Sequence, residues 1–232
     1  MSSHDEEQIE NLKRFWQEYG SPILVGVVLA VAVFVGWRYW QTTRLEAATK
    51  GAAVFQDMLG AAQRSALNEK DKEASTDLQR FGKTIREEYA KTPYANSAGL
   101  LLARHAVERG DYKEAEKQLR LVLDGKPSDS ERVLVVTRLA RVLAEQKKYD
   151  EALGLLNKET DKGFVPTIEE IKGDIYVAQK KIPEAQKAYL AAIAALDVRD
   201  ENRPLLEIKL ADVGLALPPT AKKDTKKEAT AS

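Results

Sequence analysis

Residues 171–185, IKGDIYVAQKKIPEA, decide the fold. The small residue Gly173 precedes a second small residue, Ala185, by twelve positions, with a polar break between them. Pro183 suits the first turn of a second helix, where the missing N–H of proline costs nothing. The stretch therefore predicts two antiparallel helices joined by a short turn, in close contact at the two small residues.

The same pattern occurs twice earlier in the chain. Residues 101–115, LLARHAVERGDYKEA, and 138–152, RLARVLAEQKKYDEA, align with it without gaps, at periods of 37 and 33 residues. Apolar residues recur at helical spacing almost throughout the chain beyond residue 40, whereas alternating strand patterns are scarce. Because one hairpin cannot bury its apolar stripe alone, neighbouring hairpins must stack. We expect an all-α chain, with a solenoid of helical hairpins after the N-terminal region.

The repeats resemble the tetratricopeptide repeat. In the third unit the small and aromatic positions of that family are filled by Gly173, Tyr176, Ala185, Tyr189 and Ala192. The first unit has Ala103, Ala115 and the terminal proline, Pro127, but Ala106 replaces the aromatic residue. The family's tryptophan is absent from all three units, so a generic array of helical hairpins is the alternative.

The pattern also predicts how the chain is organised. We expect a tail at 1–19, a transmembrane anchor at 20–40, a repeat domain at 41–217 and a disordered, lysine-rich tail at 218–232. The repeat units fall at about 96–129, 133–165 and 166–199, with a capping helix at 205–217. Before them, we expect a long helix from about Trp40 to Leu67, a polar turn from Asn68 to Ser75 and a helix ending near Tyr89.

The uncharged run from Gly20 to Trp37 predicts a single membrane-spanning helix. Its 18 residues reach about 27 Å as a helix, close to the thickness of the hydrocarbon core. The three tryptophans lie at the end of the run or in its flanks, as is typical of residues at the membrane interface. A cleaved signal is disfavoured by the acidic start and the bulky residues that follow the run, and a buried core helix by the lack of a polar face. The flanking charges, Lys13 and Arg14 against Arg38, Arg44 and Lys50, leave the orientation open.

Four small residues in the span are spaced for contact with another membrane helix. They form two pairs four residues apart, Gly26 with Ala30 and Ala32 with Gly36. Such spacing lets helix backbones approach closely in a membrane.

The composition offers little for catalysis. Lys+Arg and Asp+Glu are both 36, so no basic field favours nucleic acid, and the absence of cysteine excludes disulfides and thiolate chemistry. The two histidines, His4 and His105, lie far apart in the sequence. We find no phosphate loop, dinucleotide fingerprint or zinc spacing. The sequence therefore predicts a protein that is not an enzyme, with no cofactor, no metal site and no nucleic-acid partner.

A binding surface is what the repeats do predict. Stacked hairpins curve, and their first helices line the concave face. The repeat alignment directs nine side chains into this groove: Leu100, Arg104, Val107, Thr137, Arg141, Ala144, Glu170, Asp174 and Val177. We expect the groove to bind an extended or helical polypeptide, with Arg104 and Arg141 at equivalent positions. The alternative is that these arginines pair with neighbouring acids.

Over about residues 8–217 the arrangement resembles the YfgM family, ancillary subunits of the bacterial SecYEG translocon. The resemblance is carried by four stretches: Lys13-Arg14-Phe15-Trp16, Gly36-Trp37-Arg38-Tyr39-Trp40, Leu139-Ala140-Arg141-Val142 and Gly163-Phe164. It implies an inner-membrane protein with a cytoplasmic N-terminus and periplasmic repeats. It also implies a non-enzymatic chaperone or scaffold whose partners are SecYEG, the periplasmic chaperone PpiD and unfolded secreted clients.

Two other functions fit the sequence. The repeats are also suited to a scaffold for another envelope machine, such as cell-wall synthesis or division. With the opposite orientation, they suit a cytoplasmic-facing regulator that binds a signalling protein.

Overall fold

The computed structural model describes residues 3–68, 71–197 and 199–215, and within these ranges the backbone forms helices and turns without a β-strand. The prediction of an all-α fold with one long apolar N-terminal helix is confirmed. The predicted disorder of 218–232 lies outside the described residues. The chain divides into two units at residue 95, here called the anchor unit (residues up to 95) and the solenoid unit (residues from 96).

The helices of the described part follow each other with short connections. They are α1 (Ser3–Leu67), α2 (Lys72–Glu88), α3 (Tyr94–Glu108), α4 (Tyr112–Asp124), α5 (Asp129–Glu145), α6 (Tyr149–Leu156), α7 (Val165–Ala178), α8 (Ile182–Ala194) and α9 (Arg203–Asp212), with a 3₁₀ turn at Lys162–Phe164.

The long helix α1 carries the apolar run in its N-terminal half. Large apolar side chains project from it on all sides and are exposed, among them Leu24, Val28 and Phe34. Within the described residues this is the one helix that is long and apolar enough to cross a membrane. Because exposed valine and leucine side chains favour hydrocarbon over water, this bare surface is suited to a lipid environment.

In the anchor unit, α1 and α2 form a helical hairpin. Met58 and Ala61 of α1 are buried, as are Leu78 and Ile85 on one face of α2. Asp71 caps α2 by accepting a hydrogen bond from the Ala74 N–H at 2.9 Å. The turn is therefore shorter than the predicted Asn68 to Ser75, because a good N-cap starts the helix inside the charged stretch.

The solenoid unit contains three stacked hairpins, α3–α4, α5–α6 and α7–α8. One apolar core runs through the first two hairpins into α7, and α5 lies at its centre. Helix α5 packs against α4, α6 and α7, so it is covered on more than one face.

The turns between the paired helices share one conformation. Gly110, Lys147 and Lys180 lie at equivalent repeat positions and have positive φ angles of 71°, 60° and 60°. In each turn the next residue donates its N–H back across the helix end, as Lys148 does to the Leu143 carbonyl at 2.9 Å. This is the Schellman arrangement, which ends a helix and satisfies its last carbonyl groups.

The helix α9 closes the far end of the solenoid unit. It buries Leu206 and Leu210 against Tyr189 and Ile193 of α8. The helix spans Arg203–Asp212, whereas the sequence placed it at 205–217. Pro204 lies in its first turn, where proline is well tolerated.

Candidate partner-binding groove

A cavity of about 530 Å³ opens between α3, α4 and α5 of the solenoid unit. Its apolar walls come from Leu100, Val107, Tyr112, Leu119 and Val142, together with Ala103. Five charged side chains lie at its border: Arg104, Glu108, Arg138, Arg141 and Glu145. An apolar cavity with a few convergent charged groups is a common form of binding site.

The arginines of the cavity differ in their partners. Arg104 donates from Nε to Glu108 Oε1 at 2.7 Å, one helical turn away. Arg138 and Arg141 are exposed and make no ion pair or side-chain hydrogen bond within the described ranges. The alternative in which the arginines pair with neighbouring acids therefore holds for Arg104 and not for Arg141.

The structure brings together four of the predicted groove residues. Leu100, Arg104 and Val107 line the cavity from α3, and Arg141 lines it from α5. Val107 is 40% exposed, so its side chain is accessible to a partner.

Thr137 does not reach the cavity. Its side chain is 2% exposed, and its hydroxyl donates to the Leu134 carbonyl at 2.8 Å. Ala144, predicted at the equivalent of Val107, packs against the apolar core. Both positions are covered because α5 has neighbouring helices on more than one side, so the repeat alignment alone places them wrongly in the groove.

The acidic groove residues predicted in the third repeat form ion pairs and hydrogen bonds within the chain. Lys209 of α9 donates to Glu170 at 2.7 Å and to both oxygens of Asp174 at 2.8 Å. Asp174 also accepts a hydrogen bond from the Tyr189 hydroxyl at 2.7 Å. Glu170 and Asp174 therefore hold α9 on α7, and of the predicted residues in this repeat only Val177 is exposed.

The ionisation of this cluster follows from its contacts. Burial alone would lower the pKa of Lys209, but its bonds to Asp174 and Glu170 raise it above the ordinary value. Burial and the bond to Asp174 both raise the pKa of Tyr189. The lysine therefore stays charged and the tyrosine neutral at physiological pH, which keeps the three bonds in place.

A second polar cluster joins α4 to the turn that follows α5. Glu116 of α4 accepts from Lys148 at 2.7 Å, from Gln146 at 2.8 Å and from Arg120 at 2.8 Å. Burial opposes its ionisation, but these donors bring the pKa of Glu116 down to about 2. Because Gln146 and Lys148 belong to the turn after α5, this cluster ties the end of α5 to α4.

Sequence reasoning missed Arg138, Tyr112, Glu108 and Glu145 as cavity residues. Arg138 precedes Arg141 by three residues, and such pairs share one face of a helix. That spacing was visible in the sequence. Tyr112 and Leu119 reach the cavity from the second helix of the first hairpin, which the rule that first helices line the groove leaves out.

The small residues of the span lie on α1 with open space around them. A Cβ added at Gly26 or Gly36 would meet no atom within 4 Å. At about 100° per residue, Gly26 with Ala30 and Ala32 with Gly36 fall on different faces of the helix. The small residues therefore form two separate strips on the helix. Packing of another membrane helix against either strip stays a prediction.

His105 lies half-buried on α3, apart from the cavity lining. Burial and the nearby Arg109 lower the pKa of His105, so the imidazole is neutral at physiological pH. Among the described residues no group of acids and histidines is arranged to hold a metal ion.

The chain is similar to known proteins of one family. Residues 13–215 match the family described as tetratricopeptide repeat-like domain. A protein of Neisseria gonorrhoeae named ancillary SecYEG translocon subunit is 31% identical over 90% of this chain and 98% of its own. Proteins of the same name from Haemophilus influenzae, 31% identical over 77% of this chain and 83% of theirs, and from Escherichia coli, 24% identical over 91% and 98%, also match. No solved structure matches the chain. The chain belongs to the YfgM family of proteins with a tetratricopeptide repeat-like domain, as its sequence resemblance predicts.

Proposed function

We propose that this protein is a single-pass inner-membrane scaffold that associates with the Sec translocon and has no catalytic activity. The observation that carries the proposal is the match to proteins named ancillary SecYEG translocon subunit over nearly the full length of both chains. The match includes the apolar part of α1 as well as the solenoid. A shared anchor and a shared binding domain support a shared location and partner.

The proposed topology has the N-terminus in the cytoplasm and the solenoid in the periplasm. The charges beside the span do not decide between the two orientations, so the family resemblance supports this one. Proteolysis of cells with a permeabilised outer membrane tests it. The solenoid should be digested while a cytoplasmic marker stays intact; a solenoid that survives would contradict this topology and favour the cytoplasmic-facing regulator.

The proposed mechanism is tethering. α1 continues from the span into the hairpin with α2, and the end of that hairpin, at Tyr89 and Thr92, lies beside Gly51. Gly51 is eleven residues beyond Trp40, or about 16 Å along the helix. Within the anchor unit, the end of the hairpin therefore lies close to the end of the proposed span. Confinement beside an exit pore raises the effective concentration of a binding site to millimolar order for short links, so weak binding suffices.

The proposed clients are newly secreted or outer-membrane proteins that leave the translocon unfolded. The cavity between α3, α4 and α5 offers them an apolar surface with charged borders. A PpiD-like periplasmic chaperone is the proposed partner that receives them. In this scheme the protein holds a client briefly and passes it on.

Affinity purification of the full chain from gently solubilised membranes tests the proposed function. SecY, SecE and SecG should be enriched over an unrelated single-span inner-membrane protein produced at the same level. Recovery of cell-wall synthesis or division proteins without translocon subunits would overturn the proposal.

A further inference from the structure

We propose that the cavity between α3, α4 and α5 selects polypeptide segments in which a large apolar side chain adjoins an acidic side chain. This inference rests on the proposed function in one respect, namely that the solenoid binds polypeptide. It adds the chemistry of the segment and the residues that recognise it.

The apolar half of the recognition comes from the walls of the cavity. Leu100, Val107 and Tyr112 surround an opening whose volume, about 530 Å³, exceeds that of any single side chain. Leu100 and Tyr112 are partly buried against the core, so the walls are held in place before a ligand arrives. When a leucine or aromatic side chain enters this space, apolar surface of both the side chain and the cavity walls is removed from water.

The acidic half comes from Arg138 and Arg141. They lie one turn apart on α5, border the cavity and have no acidic partner within the described ranges. Each guanidinium presents a planar fork of donors that matches a carboxylate. Arg104 contributes less, because Glu108 already occupies its Nε at 2.7 Å.

The remaining charges agree with an acidic ligand. Once Arg104 and Glu108 neutralise each other, the border retains Arg138 and Arg141 against Glu145, a net charge of one positive. Glu145 lies one turn beyond Arg141 on α5. With two arginines against one glutamate, the border favours a carboxylate over a positively charged group.

Two other occupants are disfavoured by charge. The chain's own C-terminal tail carries Lys222, Lys223, Lys226 and Lys227 against Asp224 and Glu228, so the arginines repel it. A basic segment would find acids in the third repeat, at Glu170 and Asp174, but Lys209 occupies both. Within the described part of the solenoid unit, the groove charges that have no ion-pair partner therefore favour an acidic segment.

Binding of short labelled peptides to the full chain in detergent micelles, followed by fluorescence anisotropy, tests the inference. The peptides share one sequence except for a central pair, which is Glu-Leu, Gln-Leu, Lys-Leu or Glu-Ser. The Glu-Leu peptide should bind about tenfold more tightly than the Lys-Leu or Glu-Ser peptide, with Gln-Leu between them, and added salt should reduce this preference.

The arginines are tested by Arg138→Glu combined with Arg141→Glu. Affinity for the Glu-Leu peptide should fall about tenfold, while affinity for Lys-Leu should rise. Lys158→Glu combined with Lys187→Glu is the matched control, because it makes the same change in net charge at exposed side chains away from the cavity. Far-UV circular dichroism of both variants checks that the helices remain folded.

The outcomes separate this inference from the proposed function. Equal binding of Glu-Leu and Lys-Leu, or equal effects of the two double variants, would overturn the inference and leave a peptide-binding solenoid intact. No binding of any peptide, with SecYEG still recovered alongside the full chain, would overturn the inference alone. Loss of SecYEG recovery from the unmodified chain would overturn the proposed function, whatever the peptides do.

Discussion

At the scale of single residues, Gly173 shows why the small positions of the repeat matter. A Cβ added to this residue would overlap the ring of Tyr189, which α8 presses against α7. Tyr189 is 3% exposed and bonded to Asp174 through its hydroxyl. The ring is thus held at both ends and cannot move aside without breaking that bond.

We expect Gly173→Ala to destabilise the solenoid by about 1–3 kcal/mol, the usual cost of overfilling a packed interior. Urea unfolding of the full chain in detergent, followed by far-UV circular dichroism, measures the change. Gly154→Ala on α6 is the matched control, because a Cβ there meets no atom within 4 Å. It should be neutral or stabilising, since alanine favours the helix. Equal stability of the two variants would contradict the close contact.

Glu116 makes the stability of the solenoid depend on pH. The pKa of Glu116 is about 2 in the folded protein, against an ordinary value of 4.5 for a glutamate side chain. A depressed folded-state pKa contributes stability that is present above about pH 4.5 and is lost as the pH falls toward about 2. The bonds to Lys148, Gln146 and Arg120 are the cause.

The Glu116→Gln variant tests this account. At neutral pH it should be less stable than the unmodified chain, because Lys148 and Arg120 lose their charged partner. The difference should shrink as the pH is lowered through the window between 4.5 and about 2, where Glu116 itself becomes neutral. Urea unfolding at a series of pH values measures the difference; a gap that stays constant with pH would contradict the assigned role.

At the scale of elements, the turns carry strain that the sequence alone does not reveal. Lys147 and Lys180 hold the left-handed conformation that Gly110 holds in the first hairpin. A side chain at positive φ costs about 1–2 kcal/mol, and glycine avoids this cost while losing more freedom on folding.

Lys147→Gly and Lys180→Gly should each stabilise the solenoid by about 0.5–1 kcal/mol. Lys147→Ala separates the backbone effect from the loss of charge, because alanine keeps the strain and should give no such gain. Gly110→Ala should destabilise by about 1 kcal/mol. Chemical unfolding of the four variants measures these changes; a gain from alanine equal to that from glycine would contradict the argument from backbone conformation.

The hairpins could be predicted because their cause is local. A small residue on each of two helices, twelve positions apart, lets the two helices of a hairpin approach closely, and the sequence shows this pattern three times. The start of α2 at Lys72 was missed, because the charged stretch from Asn68 resembles a loop while Asp71 acts as a cap.

The groove was harder to predict, because its limits are set by contacts between distant residues. Lys209 reaches Asp174 from 35 residues away, and no local pattern indicates that bond. The burial of Thr137 follows from the helices around α5 and not from its own repeat position. Leu100, Arg104 and Val107 of α3 and Arg141 of α5 line the cavity at the positions that the repeat alignment gives. The same alignment fails at Thr137 and Ala144 of α5, because neighbouring helices cover them.

At the scale of the whole molecule, the anchor is a working part of the proposed mechanism. If confinement at the membrane supplies most of the apparent affinity for the translocon, a solenoid released from the membrane should lose most of that affinity. Residues 41–232 exported without the span should recover at least about tenfold less SecY than the full chain at equal abundance. Quantitative mass spectrometry of the purified complexes measures this ratio. Equal recovery would mean that the solenoid alone holds the translocon and that tethering contributes nothing.

The most direct test of the central claim, association with the translocon, is photo-crosslinking in living cells. A photoreactive amino acid is placed at exposed positions of the span, such as Val28, and of the cavity, such as Val107. The account predicts a light-dependent crosslink to SecY, SecE or SecG from at least one of these positions in the full chain. Crosslinks that join every position only to other envelope proteins, with no translocon subunit among them, would contradict it.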